Sequence, residues 1–188
     1  MPESSLGDGL IFEGTLPLTW TPGPLVDDAG LARLNADNHQ LLIADSSLNE
    51  VKIQDVLKDE SAALVHELQR LDFKLNILLR LTADLARRQG GLPKARPVRF
   101  SSHGLEWLGD GAPEPSSTGL LMLYVNPSLP EPLKLPALTG TASHTQGGTT
   151  RLQFTGLSES VVDLIEKMIF RHHRRLVAVS RFTPHRAP

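Results

Sequence analysis

The chain has 188 residues, 40% of them hydrophobic and 21% charged, which is ordinary for a globular protein of one domain. The absence of cysteine excludes disulfides, thiolate metal sites and a cysteine nucleophile. No run of eighteen apolar residues occurs, and the amino end lacks the basic and apolar stretches of a secretory signal. We therefore expect a cytoplasmic protein with no membrane insertion.

The net charge of −2 conceals an uneven distribution of charge along the chain. The first 60 positions hold 11 acidic and three basic residues, whereas no acid follows Glu166. The arginines after that position are Arg171, Arg174, Arg175, Arg181 and Arg186. A second basic run without acids holds Arg87, Arg88, Lys94, Arg96 and Arg99. Basic patches can bind nucleic acid, but we favour the interpretation that acidic and basic ends of neighbouring subunits face each other.

The amino-terminal third predicts a strand followed by a helix. Leu10–Trp20 is the predicted strand, and its proline is typical of a sheet edge. A Pro–Gly–Pro run at 22–24 ends the strand, and Asp27 or Asp28 is a suitable cap for the helix. Leucines then recur at roughly helical spacing, and we expect Ser46 and Ser47 to interrupt the helix.

A leucine repeat between positions 51 and 89 is the strongest pattern in the sequence. The stretch has no proline or glycine, and leucines recur every seven residues with two more between them. The leucines of this seam are Leu57, Leu64, Leu68, Leu71, Leu75, Leu78 and Leu85. Sustained heptads predict one coiled-coil helix over 51–89, roughly 60 Å long, which Gly90 and Gly91 then stop.

The width of the apolar stripe bears on how many helices associate. Val65, Leu79 and Leu81 extend the stripe beyond the seam, so two helices would not cover it. We expect three or four strands, and a homotetramer through residues 51–89 in particular. The alternative is an amphipathic helix that packs against its own domain.

Short apolar segments separated by turn residues follow position 94 and predict an antiparallel barrel or sandwich. The candidate strands are Pro97–Ser101, Gly104–Leu108, Gly119–Val125, Leu133–Ala142 and Thr149–Thr155. We expect the amino-terminal strand to join this sheet. Ser158 is the predicted N-cap of a last helix, with Glu159 at the positive end of its dipole.

The segment from Arg99 to Trp107 resembles a motif of the PilZ domain, the bacterial cyclic di-GMP receptor. That motif is Asp/Asn-x-Ser-x-x-Gly; Ser101 and Gly104 match it, whereas Arg99 replaces the acid. A strand, a long heptad helix and then a barrel is an order similar to the atypical, tetrameric PilZ group. The resemblance implies an α+β fold: one PilZ-like domain over 1–188, with an antiparallel β-barrel, the inserted helix and a C-terminal helix.

The other PilZ motif, Arg-x-x-x-Arg ahead of the barrel, is missing. The only such spacing is Arg171–Arg175 on the last helix, where the pair shares a face and could bind an anion, although chance explains it better. The candidate ligand site is therefore degenerate and comprises Arg96, Arg99, Ser101 and Gly104. We expect cyclic di-GMP, the one cofactor the resemblance suggests, to bind weakly or not at all.

No catalytic or metal-binding constellation is present. There is no Gly-x-Ser-x-Gly elbow, phosphate loop or Gly-x-Gly-x-x-Gly, and the adjacent His172 and His173 diverge by about 100° on a helix. The resemblance therefore implies a non-enzymatic adaptor in cyclic di-GMP signalling, motility or virulence, whose partner is a signalling or motility protein. The alternative is a genuine cyclic di-GMP-binding effector whose ligand changes subunit packing.

Overall fold

The computed structural model describes residues 6, 9–49, 62–108, 113–140 and 149–182. Six strands and three helices form in these ranges. In chain order they are β1 (Phe12–Pro22), α1 (Asp28–Asn49), α2 (Ala62–Gly90), β2 (Ala95–Phe100), β3 (Gly104–Leu108), β4 (Thr118–Leu123), β5 (Leu133–Thr139), β6 (Thr149–Phe154) and α3 (Glu159–Phe182). The helices α1 and α2 are thus inserted between the first two strands.

The strands close into an antiparallel barrel in the order β1-β2-β3-β6-β5-β4. This confirms the predicted barrel and the participation of the amino-terminal strand. All five later strands lie where the sequence predicts them, with ends shifted by at most a few residues. The largest shift is in β5, which ends at Thr139.

Closure of the barrel corrects one expectation, because β1 is not an edge strand. Its first half, Phe12 to Pro17, pairs with β2, and its second half, Leu18 to Pro22, pairs with β4. Pro17 lies where the strand changes partner, so its missing N–H interrupts neither ladder. The proline indicates this changeover rather than an open edge.

The core fills the barrel and is sealed at one end by α3. Inward positions of the strands are almost fully buried, including Leu18, Phe100 and Leu135. On α3, Val161, Ile165 and Ile169 lie on one face and are at most 1% exposed. The helix starts as predicted, because the Val161 N–H donates to Ser158 Oγ at 3.4 Å.

The first helix packs on α3 and on β5. Asp27 caps it, with Oδ1 accepting from the Gly30 N–H at 2.9 Å. The predicted interruption at Ser46–Ser47 does not occur, since the Ser47 hydroxyl donates to the Ile43 carbonyl and the helix continues to Asn49. The buried Asn38 fixes α1 to the sheet: its Nδ2 donates to the Lys134 carbonyl at 2.8 Å, and its Oδ1 accepts from the Lys134 N–H at 2.9 Å.

The predicted coiled-coil helix is helical over residues 62–90; its earlier part, including Leu57, lies outside the described residues. It ends at Gly90, and Gly91 follows in the left-handed region, with φ of 67°. Whereas α1 and α3 pack against each other and the barrel, α2 forms no comparable contact with another described element. Its seam therefore does not pack against its own domain in the described residues. None of the described helices is long and apolar enough to span a membrane.

Candidate ligand site at the turn between strands β2 and β3

The four candidate residues lie close together in sequence but do not converge in space. Arg96 and Arg99 both belong to β2, and successive side chains of a strand point to opposite faces. Val98 and Phe100 are buried in the core, which places Arg96 on the inner side and Arg99 on the outer surface. Ser101 follows the strand, and Gly104 begins β3.

Arg99 belongs to a ladder of alternating charges that crosses four strands. In register from β1 to β6, Glu13 pairs with Arg99, Arg99 with Glu106, and Glu106 with Arg151. Arg99 Nε donates to Glu13 at 2.9 Å and its Nη1 donates to Glu106 at 2.8 Å. Arg151 Nε donates to the other oxygen of Glu106 at 3.1 Å. The central carboxylate is thus shared by two guanidinium groups.

The electrostatics of the ladder hold Arg99 in place. Glu106 is only 5% exposed, so both its oxygens depend on the two arginines for compensation of their charge. The hydrogen bond that Arg99 donates to Glu13, followed by the charge of Glu106, raises the pKa of Arg99 above its usual range despite partial burial. Two of the five N–H donors of the Arg99 guanidinium are thus bonded to carboxylates, so a ligand phosphate would compete with Glu13 and Glu106 for the same cation.

Ser101 is also used by the fold. Its side chain is 1% exposed, its Oγ donates to the Leu6 carbonyl at 3.0 Å, and the same oxygen accepts from the His103 N–H at 3.2 Å. The neighbouring Ser102 hydroxyl donates to Glu166 on α3 at 2.9 Å. The two serines therefore join the turn to the amino-terminal segment and to the last helix.

Gly104 is required by the close approach of β3 and β6. A Cβ atom at this position would lie 2.5 Å from the Leu152 carbonyl oxygen, well inside van der Waals contact. Because that neighbour is backbone, relief would require the strands to move apart. The glycine of the motif thus has a packing function within the barrel.

Arg96 lies at the opposite end of β2, away from the turn. Its guanidinium lies over the ring of the buried Trp107, 5.1 Å from the ring centroid. Both residues line a cleft of about 670 Å³, together with Trp20 and Lys94. Arg96 therefore lines a cavity of ligand size, whereas Gly104 lines a separate, smaller cavity of about 270 Å³.

A second polar cluster joins α3 to α1 and includes Arg171, which the sequence analysis considered for binding only as half of a chance Arg-x-x-x-Arg pair. Arg171 Nη2 donates to Asp45 at 3.2 Å, and its Nη1 donates to the Ser46 hydroxyl at 3.0 Å. Asp45 also accepts from Asn126 Nδ2 at 2.7 Å. At this contact the acidic amino-terminal part meets the basic last helix within one chain.

A sequence signal could have identified only part of these networks. Arg99 and Glu106 are equally distant from the centre of the turn between β2 and β3, so hairpin symmetry alone would pair them. Glu13 and Arg151 come from remote strands, and Asp45 comes from α1. Their contacts with the arginines depend on barrel order and helix docking, which periodicity does not specify.

The fold and the retained motif define a PilZ-type barrel with helices inserted after its first strand. The model of the family described as "Atypical PilZ domain, cyclic di-GMP receptor" matches residues 41–182, and the chain belongs to this family. A comparison with curated proteins gives no significant match.

The chain is also similar to a solved structure of a pathogenic protein from Xanthomonas campestris, described as a new tetrameric PilZ domain self-assembled via an unusual helical bundle. The two are 26% identical, with a TM-score of 0.72. The alignment covers 93% of this chain and 94% of the Xanthomonas chain, so the likeness includes the helices as well as the barrel.

Proposed function

We propose that this chain is a non-enzymatic cytoplasmic adaptor in cyclic di-GMP signalling, which binds the dinucleotide weakly or not at all. The observation that carries the proposal is that Arg99, Ser101 and Gly104 all serve contacts that hold the barrel together. The dinucleotide has two phosphates and two guanines, and its capture needs several charge-assisted, preferably bidentate, arginine contacts. In the degenerate motif the Arg99 guanidinium already donates to the carboxylates of Glu13 and Glu106.

The missing arm ahead of the barrel supports the same conclusion. The sequence ahead of β2 has no Arg-x-x-x-Arg pair, so the ligand loses the guanidinium groups that ordinary family members supply ahead of the barrel. Each lost contact to a charged group removes roughly 1.5–3 kcal/mol of binding free energy. The loss of two or three moves a micromolar site to about millimolar or weaker.

The assembly that we propose rests on α2, the described part of an oligomerisation segment over 51–89 within one PilZ-like domain. Its described seam leucines are 38–59% exposed in the single chain, and they are Leu68, Leu71, Leu75, Leu78 and Leu85. A contiguous exposed apolar stripe of this kind marks an interaction surface. The tetramer described for the similar Xanthomonas structure supports four copies here.

Light scattering of Leu71→Asp combined with Leu78→Asp tests this assembly. Each buried leucine contributes about 1.5–3 kcal/mol, so two charges in the seam should reduce the assembly to single chains. Wild-type protein should have a mass near 82 kDa, four chains of 20.5 kDa. Phe73→Asp is the matched control, since this side chain is 66% exposed but lies outside the seam, and it should leave the mass unchanged. Monomeric wild-type protein at micromolar concentration would contradict the proposed assembly.

The adaptor would act by presenting several barrels on one helical stalk. A partner with repeated sites then binds the second barrel at a high effective concentration, which raises avidity without a new kind of contact. Such a partner would be a signalling or motility protein.

A second candidate function, a genuine cyclic di-GMP effector, is favoured by the cleft that Arg96 lines. A guanidinium beside Trp20 and Trp107 could hold a base and a phosphate, and Lys94 adds a second cation. Titration of the dinucleotide into Arg96→Gln and Arg99→Gln separates the two functions. A low-micromolar dissociation constant that only Arg96→Gln abolishes would favour the effector, whose subunit packing should then change on binding.

A further inference from the structure

A separate cavity of about 260 Å³ lies between β1, the loop after β4 and the carboxyl half of α3. Its floor is apolar and includes Phe12, Leu16, Phe100 and Met168. On its rim α3 contributes Arg171, His172 and Arg175, and α1 contributes one carboxylate, Asp45, so the basic groups outnumber the acidic one. An apolar floor with a polar rim on one side is the usual composition of a small-molecule site, and this volume is slightly below the roughly 300–1,000 Å³ of drug-sized sites, which suits a smaller ligand.

The two arginines of the rim differ in how their charge is compensated. Arg171 is 21% exposed and donates to Asp45 and Ser46, so its charge is matched within the chain. Arg175 follows one turn later on the same face and forms no ion pair with any residue in the described part of the chain. Among the described residues, the Arg175 guanidinium is thus a rim cation with no ion pair of its own, beside an apolar surface.

His172 lies between these arginines in the sequence, and its pKa depends on the charge of the rim. Its ring lies against Phe12, with the ring centroids 4.3 Å apart. Burial, and then the charges of Arg175 and His173, lower the pKa of His172 below its usual 6.5. A bound anion would cancel the field of Arg175 and so oppose part of the lowering of the His172 pKa.

We propose that this cavity binds a small amphiphilic anion, with an apolar body on the Phe12–Met168 floor and a phosphate or carboxylate between His172 and Arg175. Guanidinium and imidazole are the donors that such headgroups prefer. The apolar floor should add to the affinity in proportion to the surface that the ligand buries.

Calorimetric titration of the full chain with phenyl phosphate tests the site directly. Inorganic phosphate supplies the anion without an apolar body, phenol supplies the body without the anion, and benzoate replaces the phosphate by a carboxylate. Phenyl phosphate or benzoate should bind at least tenfold more tightly than inorganic phosphate or phenol. The better of the two identifies the headgroup.

Two matched variants assign the binding to this cavity. Arg175→Gln should weaken the better ligand roughly tenfold or more, because it removes a charge-assisted contact. Arg174→Gln makes the same change of net charge one residue away, where the guanidinium lies over Phe170 instead of lining the cavity. It should bind like wild type. Equal weakening of both variants, or no binding by wild type at millimolar ligand, would overturn the proposal.

The imidazole of His172 provides a second readout that does not depend on a variant. The charged groups around it are Asp45 on α1 and Arg171, His173 and Arg175 on α3, while β1 contributes uncharged lining. A bound anion should raise the pKa of His172, followed by nuclear magnetic resonance, and affinity should increase as pH falls through the range in which this imidazole is protonated. A His172 titration that the ligand leaves unchanged would also overturn the proposal.

Discussion

The leucines of the barrel are buried, whereas the leucines of α2 are exposed in the single chain. Inside the barrel Leu105, Leu121 and Leu133 are fully buried by neighbouring strands and by α3. On α2, Leu75 and Leu78 are 59% and 58% exposed, although their spacing is just as regular. A regular apolar pattern thus identifies a surface that will be buried, but does not identify the partner that buries it.

Charged groups show the same contrast. On the barrel, the ladder of Glu13, Arg99, Glu106 and Arg151 satisfies its charges within one chain. On α2, the described ion pair is Glu67 with Arg70, two exposed side chains one turn apart, a kind of pair that stabilises little. The charges of the ladder are therefore satisfied within a single chain, whereas the Glu67–Arg70 pair adds little to the stability of α2.

The largest expected effect is on the free energy of unfolding, where a substitution in the core should cost much more than one in the α2 seam. In the monomeric Leu71→Asp, Leu78→Asp background, Ile165→Ala should lower the free energy of unfolding by about 2–5 kcal/mol, because it leaves a cavity under α3. Leu75→Ala in the same background should change it by less than about 0.5 kcal/mol, since that side chain is already in solvent. Urea denaturation measures both. Similar losses would mean that α2 packs on its own barrel.

The ladder can be tested with two substitutions that remove different partners of Arg99. Glu106→Gln leaves Arg99 and Arg151 without their shared buried carboxylate and should lower the free energy of unfolding by roughly 1.5–3 kcal/mol. Glu13→Gln removes an exposed partner and should cost less than about 1 kcal/mol. Denaturant curves for the two variants decide the order. The reverse order would show that the outer pair, rather than the buried one, holds Arg99.

A smaller effect is expected where the two strands approach at Gly104. Gly104→Ala should lower the free energy of unfolding by about 1–3 kcal/mol, because its Cβ would overlap the Leu152 carbonyl. Gly140→Ala is the control, since a Cβ there meets nothing within 4 Å. Thermal denaturation of both variants measures the difference. If Gly104→Ala were as stable as the control, the motif glycine would be free to serve a ligand instead.

The sequence predicted most of the secondary structure because the relevant signals are local. Turn residues separate the strands, and heptads identify α2. Ser158 caps α3 by accepting a hydrogen bond from the N–H of Val161, three residues later in the chain. The failures are at positions where a distant partner decides. Pro17 suggests an edge strand, but β1 changes partner from β2 to β4 after this residue. Ser47 suggests a helix break, but its hydroxyl donates to a carbonyl within the helix.

The candidate site was predictable in composition but not in geometry. Ser101 and Gly104 can be recognised from the motif, yet their contacts to Leu6 and to the Leu152 carbonyl depend on the docking of remote segments. The alternation of side chains along β2 could have placed Arg96 and Arg99 on opposite faces, if the inward positions of that strand had been assigned from the sequence. The cavity beside Arg175 depends on the packing of α3 against β1, which no local pattern specifies.

Calorimetric titration of cyclic di-GMP into the assembled wild-type chain tests the central claim most directly, namely that the degenerate motif now serves the fold. The account predicts no saturable binding below about millimolar ligand, with Ser101→Ala indistinguishable from wild type in this assay. A low-micromolar dissociation constant that is lost in Ser101→Ala, or in Arg96→Gln combined with Arg99→Gln, would contradict it.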